Sequence, residues 1–210
     1  MLREFIEWSD YWWVKAGNAE ISRIALVGDS ITRSYYDDVN RLLADEGRPV
    51  DRFTTSHFVG DRAFLAELEY IFGPVNGYRY EVIHFNNGLH GGCNDTRLPF
   101  ADYEKGMREA IALLRRLQPQ AKLILVTSTN MVRSGAKEDE PDEAYNDFIL
   151  ERNALVHRLG KEFGLPVDDL YQTVAWKAEY PHRDGVHFGP DGVKALADQV
   201  SAVIRKQLHV

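Results

Sequence analysis

RIALVGDSITRSYYDDVNRLLADEG, residues 23–47, changes its period partway along. Arg23–Val27 is a short run rich in β-formers that ends at Gly28, and the amphipathic stretch behind it has the spacing of a helix. The same change recurs down the chain. Val50–Ser56 reads as a weaker strand, with Phe64, Leu65, Leu68 and Ile71 at helical spacing after it. Glu81–Phe85 is a third strand, followed by a helix face of Tyr103, Met107, Ile111, Leu114 and Leu117 that Pro119 ends. Lys122–Thr127 is apolar throughout, as a strand buried on both faces must be.

The next helix carries Tyr145, Phe148, Ile149, Leu155, Leu159 and Phe163, with Gly164 where a C-terminal cap belongs. Leu165–Leu170 reads as a short last strand. The final helix opens at Gly189-Pro190-Asp191 and buries Val193, Leu196, Val200, Val203 and Ile204. Five strands alternating with helices imply an α/β fold with a parallel sheet covered on both faces. In such a sheet the ligand site lies where strands end and loops begin. The loops after Val27, Ser56, Phe85, Thr127 and Leu170 are therefore the places to look.

The bulk numbers agree with this class. A chain of 210 residues, 44% hydrophobic and 27% charged, can bury a core as one domain over 1–210. A formal charge of -7 argues against nucleic acid and anionic membrane as partners. No apolar run approaches the roughly 18–20 residues that span a bilayer. The acidic start MLREFIEWSDYWWVKAGNAE lacks the basic end and apolar core of a signal peptide, so the chain reads as cytoplasmic, or as secreted if a signal has been removed. Cys93 is the sole cysteine, which excludes an internal disulfide and reads as a small loop residue.

Two loops carry candidate chemistry. Gly28-Asp29-Ser30-Ile31-Thr32 puts a serine at the start of a helix, where the helix N-terminus favours developing negative charge. Ser30 is placed either as a nucleophile or as an N-cap. A nucleophilic serine needs a base, and the base needs an orienting partner. Asp184-Gly185-Val186-His187 offers both within one turn, or is an exposed turn with an incidental histidine.

Taken together, GDSIT early in the chain and DGVHFGPDG before the last helix resemble the SGNH/GDSL hydrolase superfamily. The resemblance implies a flavodoxin-like three-layer α/β/α sandwich with a five-stranded parallel sheet. It also implies an ester hydrolase of the acetylesterase class that needs no cofactor. Ser30 would be its nucleophile, His187 its base and Asp184 the orienting acid. The family's oxyanion hole would use the backbone N–H of Ser30, that of a glycine after the second strand (here Gly60), and an asparagine from a Gly-x-Asn-Asp motif. This chain departs from that motif. FNNGLHGG, residues 85–92, puts His90 in place of the asparagine when aligned on Gly88, or selects Asn87 when aligned on asparagine. We expect His90 at the oxyanion position and Asn87 lining it.

Asp29, Asn130 and Arg133 are the expected substrate contacts, the last two from the long polar loop TSTNMVRSGAKEDEPDEAYN. His57, His84 and His182 near strand ends raise a metal reading, but no HxH or HExxH spacing supports it, so none is expected. His157 and His209 fall on helices, at the surface. Trp8, Tyr11, Trp12 and Trp13 fall at helical spacing and are expected to pack residues 1–20 onto the body, or else to rim the active site. The expected substrate is a small-molecule or carbohydrate ester, with O-acetyl groups a natural choice. A glycosidase or lyase that uses His90 as acid or base, and a binding module without activity, are the other readings. A flavin site fits less well, because GDSIT lacks a hydroxyl-rich phosphate loop.

Overall fold

The computed structural model describes residues 5–92, 97–133 and 140–209. Cys93 and residues 134–139 of the long polar loop lie outside them. The described strands are β1 (Ser9–Trp12), β2 (Arg23–Gly28), β3 (Val50–Thr55), β4 (Tyr80–Phe85), β5 (Lys122–Val126) and β6 (Val167–Asp168). The α-helices are α1 (Ser30–Leu42), α2 (Arg62–Phe72), α3 (Phe100–Leu117), α4 (Glu143–Phe163), α5 (Leu170–Val174) and α6 (Pro190–Leu208).

The sheet runs β1-β3-β2-β4-β5-β6. All pairs are parallel except β1 with β3, where Ser9 faces Thr55 and Trp12 faces Arg52. Alternate residues of β2 point to opposite layers, as the pleat requires. Ile24 and Leu26 join a core with Tyr35 of α1, Val174 of α5 and Val200 of α6. Ala25 and Val27 join one with Phe64 of α2, Met107 of α3 and Leu159 of α4. Buried on both faces, β2 and β5 are the continuous apolar runs of a sheet sandwiched between helices.

Two expectations change. The sheet has a sixth strand, because the aromatic segment is extended rather than helical. Tyr11 and Trp13 turn inward against the α2–α4 side of the core, and Trp12 between them is 56% exposed. Alternating aromatics satisfy a strand's period of two as well as part of a helix's. The last strand is also shorter than expected: β6 is two residues long, and Leu170 already belongs to α5, capped by the Asp169 carboxylate on Gln172 N–H. Among the described residues no helix is long and apolar enough to cross a membrane.

A buried ion pair fastens the chain that follows β1. Arg23 and Asp51 side chains are both fully buried, with Arg23 Nη1 3.0 Å from Asp51 Oδ2. The guanidinium also donates to the carbonyls of Val14, Lys15 and Asn18. Burial pushes the Asp51 carboxyl above its ordinary range despite donors from Val14 N–H, Arg23 and Tyr80 O–H. Removing one partner of a buried pair strands the other. Arg23→Met is therefore expected to lower stability by about 3–5 kcal/mol, measured as the shift in a urea unfolding curve.

Candidate active site

β2 and β4 are parallel neighbours, with Val27 beside Phe85, and Asn86 N–H extends the ladder to Val27 O at 2.9 Å. The chain leaving β2 enters α1 on one face of the sheet, and the chain leaving β4 continues to α3 on the other. The crevice between the two exits is where an open α/β sheet binds ligands.

On the β2 side, Gly28 has no room for a side chain: a Cβ there would lie 2.0 Å from Thr32 Oγ1. The strand can therefore turn directly into the helix. Asp29, not Ser30, is the N-cap of α1, its Oδ1 accepting from Ile31 N–H at 2.9 Å. Asp29 is only 3% exposed, and it is not among the described residues that line the Ser30 cleft. Relieved of capping, Ser30 occupies the first helical position, where its N–H has no partner within the helix.

Asp184 and His187 reach Ser30 from the turn before α6. Gly185 sits at φ 93°, a left-handed conformation that favours glycine. That turn lets Asp184 Oδ1 accept the backbone N–H groups of Val186 and His187. Asp184 Oδ2 meets His187 Nδ1 at 2.8 Å, and His187 Nε2 lies 2.8 Å from Ser30 Oγ. Partial burial pushes the Asp184 carboxyl upward, but the hydrogen bonds from His187 and Val186 outweigh it and hold the group down at about 2. A carboxylate can only accept, so Nδ1 carries the ring proton and the Nε2 lone pair points at Ser30. The surrounding cleft is lined by Ser30, Arg33, Ser34, Arg183, Asp184 and His187, with Phe188 and Val193 beneath.

The β4 exit is held by side chains rather than by a strand partner. Asn86 Nδ2 donates to Val126 O at 3.1 Å. Asn87 spans to the loop after β3, with Nδ2 donating to His57 O and Oδ1 accepting from Val59 N–H, both at 3.0 Å. Asn87 thus fastens the loop after β4 to the loop after β3. Leu89 packs over Ile31 and Thr32 in the first turn of α1. His90 is half-buried, and its ring stands edge-on to Trp8 at 6.4 Å. Trp8 in turn supports the Arg33 guanidinium, 4.6 Å from its ring. Trp8 therefore reaches from α1 to the loop after β4.

The remaining expected residues lie elsewhere. Gly60 is exposed, packs against Leu98, and lines a depression between α2 and α3 that shares no residue with the Ser30 cleft. Asn130 is buried, and its carbonyl meets His182 Nε2 at 3.1 Å. Arg133 is exposed next to the Val132–Pro141 bridge, 3.9 Å from Glu140. Neither lines the Ser30 cleft. His84 is buried against Asp168 at 2.9 Å, and His157 and His209 are surface residues beside Asp169 and Glu46.

Sequence reasoning missed Arg33, Arg183 and Arg152. Arg33 stands one turn after Ser30, and Arg183 is next to Asp184, so proximity alone was a signal. Arg152 falls on the apolar stripe of α4 between Phe148 and Leu155, a charge where a hydrophobe belongs. It is 1% exposed, held 3.7 Å from the Phe148 ring and 4.1 Å from the Tyr103 ring. From there it donates to the carbonyls of Gly88, His90 and Gly91.

A family model for GDSL-like lipases and acylhydrolases matches residues 26–195. No curated protein matches the sequence. Among solved structures, a carbohydrate acetylesterase from Sinorhizobium meliloti aligns with TM-score 0.66 at 12% identity, covering 88% of this chain and 99% of that one. A carbohydrate esterase family 3 protein from Talaromyces cellulolyticus aligns with TM-score 0.65 at 15% identity, covering 90% and 100%. A GDSL-like lipase from Bacteroides thetaiotaomicron gives 0.63 at 16%, covering 88% of each. At these identities the likeness is one of fold.

Arg152→Met keeps apolar bulk between the two rings and removes the donors to three carbonyls. The expected loss is about 3 kcal/mol in urea unfolding, since stranded buried acceptors cost 1–3 kcal/mol each and some will find water. Amide exchange should accelerate in residues 86–92 before it does so in the sheet.

Proposed function

The chain belongs to the GDSL-like lipase/acylhydrolase family, and from that premise we propose that it is a serine esterase acting on small, polar esters. The observation that carries this reading is the hydrogen-bonded relay from Asp184 through His187 to Ser30. In the forward step Ser30 Oγ attacks the ester carbonyl while His187 Nε2 takes the hydroxyl proton. The imidazolium so formed is stabilised by the ionised Asp184. It returns the proton to the departing alcohol and leaves an acyl group on Ser30. Water, deprotonated by the same Nε2, then releases the acid and restores the serine.

The tetrahedral intermediate carries its charge on the former carbonyl oxygen, which needs donors fixed in advance. Ser30 N–H, at the unpartnered start of α1, is one of them. We assign a second to His90 in the loop after β4, on the family pattern; Gly60, the third residue that pattern implies, lines the separate depression between α2 and α3. The neutral or protonated imidazole of His90 can donate from a ring nitrogen, as the family's asparagine does from its amide.

The polar cleft supports a polar leaving group over a lipid tail, with Arg33, Ser34 and Arg183 beside the serine. Two of the structural relatives are named as carbohydrate esterases, and one of these as an acetylesterase. We therefore place O-acetyl groups on a carbohydrate first among substrates. A glycosidase would need a pair of carboxylates across the cleft. Among the described residues that line the cleft, Asp184 is the sole carboxylate, and it is committed to His187.

A serine-reactive phosphonate should label Ser30, and Ser30→Ala should abolish both the adduct and p-nitrophenyl acetate hydrolysis, a loss of about 10^4-fold or more in kcat. An unlabelled native chain with no ester turnover would sink the reading. His90→Ala is expected to lower kcat about 10^2–10^3-fold with little change in KM, the pattern of a lost transition-state donor. Wild-type turnover in that variant would remove His90 from the site. Octanoyl esters should be cleaved more slowly than acetyl esters, and the reverse order would exclude the small-ester assignment.

A further inference from the structure

A second group of chemically capable side chains lies at the β1 edge of the sheet. Glu7, His57 and Asp61 each present a ligand-type atom, and these atoms lie within 4.8 Å of one another. Glu7 comes from the segment before β1, and His57 and Asp61 from the two ends of the loop between β3 and α2, Asp61 as the N-cap of α2. His57 Nε2 is 3.5 Å from Glu7 Oε2. Two ligands on one tetrahedral zinc, each bonded at about 2.0–2.1 Å, sit about 3.4 Å apart.

The other nitrogen of the same ring is already engaged. His57 Nδ1 lies 3.0 Å from Glu67 Oε1. Glu67 in turn accepts from Tyr11 O–H at 2.6 Å and from Ser9 O–H. A carboxylate behind a histidine fixes the proton on Nδ1 and leaves the Nε2 lone pair for an ion.

An independent observation comes from Asp61. It is only 2% exposed, and its Oδ1 caps α2 by accepting Ala63 N–H at 2.8 Å. Its Oδ2 is buried with no hydrogen-bond partner among the described residues. A buried carboxylate oxygen in that state is costly unless a cation compensates it.

We propose that Glu7, His57 and Asp61 bind a divalent transition-metal ion of the zinc type, with Glu67 orienting His57. Calcium and magnesium are poorer fits, because they take six or more oxygen ligands and avoid imidazole. The ion ties the segment before β1 to the loop after β3. Glu7 precedes Trp8, which touches Arg33 and His90, and the His57 carbonyl receives the Asn87 amide. Metal binding thus braces the rim of the Ser30 cleft without entering it. The inference does not rest on the esterase assignment.

The test uses the untagged full chain, stripped with a chelator, dialysed, and titrated with zinc chloride by calorimetry and thermal melting. One equivalent should bind with a micromolar or tighter Kd, and zinc at a hundredfold excess over that Kd should raise Tm by about 5–10 °C. Asp61→Asn keeps a good helix cap while removing the charge. It should weaken zinc at least about tenfold and leave the zinc-free Tm close to that of the native chain. Glu7→Gln, which caps no helix, should weaken zinc likewise and serves if Asp61→Asn fails to fold. The proposal is overturned if the native chain shows no saturable zinc binding, or if the folded variants bind zinc within about twofold of it.

Discussion

β2 and β4 lie side by side yet send their following helices to opposite faces of the sheet, and the site is arranged around that divergence. Where two parallel neighbours part, their last carbonyls and first loop amides have no strand to pair with. The opening must be filled by helix starts and loop side chains. α1 begins at once because Gly28 permits it, which sets Ser30 over the edge of β2. His187 arrives from a position 157 residues further on, because α6 packs beside α1 in the same layer. The Ser30–His187 contact is thus a consequence of layer assignment as much as of either loop.

The other lip of the crevice has a different origin. FNNGLHGG forms neither strand nor helix beyond Phe85, so its carbonyls need partners from outside. α4 supplies them. Arg152 serves three carbonyls of this loop, and Asn153 and Asn146 bond both ends of their amides to the loop after β5. Charge-assisted bonds of this kind are stronger than neutral ones, and a guanidinium between two aromatic faces stays desolvated without losing all its stabilisation. Small residues in the loop then have a physical reason. A Cβ on Gly88 would lie 2.0 Å from Ser128 Oγ, and one on Gly92 would lie 2.4 Å from the Phe148 ring. The glycines let the loop come down onto α4 and β5.

Most of the fold was legible because strands buried on both faces read as unbroken apolar runs, and the helices between them carry clear stripes. What escaped was short or ambiguous in period. β1 has four residues, and its aromatics fit either regular structure; β6 has two. In the site, the residues brought together carry local signals at each end, and the layer order joins Ser30 to His187 across 157 positions. Asp184 and His187 are joined by a three-residue turn that the backbone closes on its own, and Ser30 follows a strand-ending glycine. Contacts that depend on one side chain's rotation, or on a remote partner with no motif of its own, could not be read. Whether Asp29 or Ser30 caps α1, and whether Asn87 faces the cleft or the loop after β3, is a matter of one residue's rotation. Arg152 meets its loop across more than sixty positions, with only a misplaced charge to announce it.

The N-terminal segment gains its role from the edge it covers. β3 would otherwise be the exposed margin of the sheet, open to pairing with another chain. β1 closes it with an antiparallel strand whose inward aromatics join the core, while Arg23 and Asp51 anchor the chain that follows. The same strand fixes Trp8 through its backbone, which bonds Ser56 and Thr55 at the end of β3. Trp8 then lies against both Arg33 and His90. The edge strand is thereby linked, through Trp8, to Arg33 in the wall of the Ser30 cleft and to the loop after β4. An edge strand has fewer bonds to lose than the central ones. Any interaction that secures the segment before β1 acts on the cleft through Trp8.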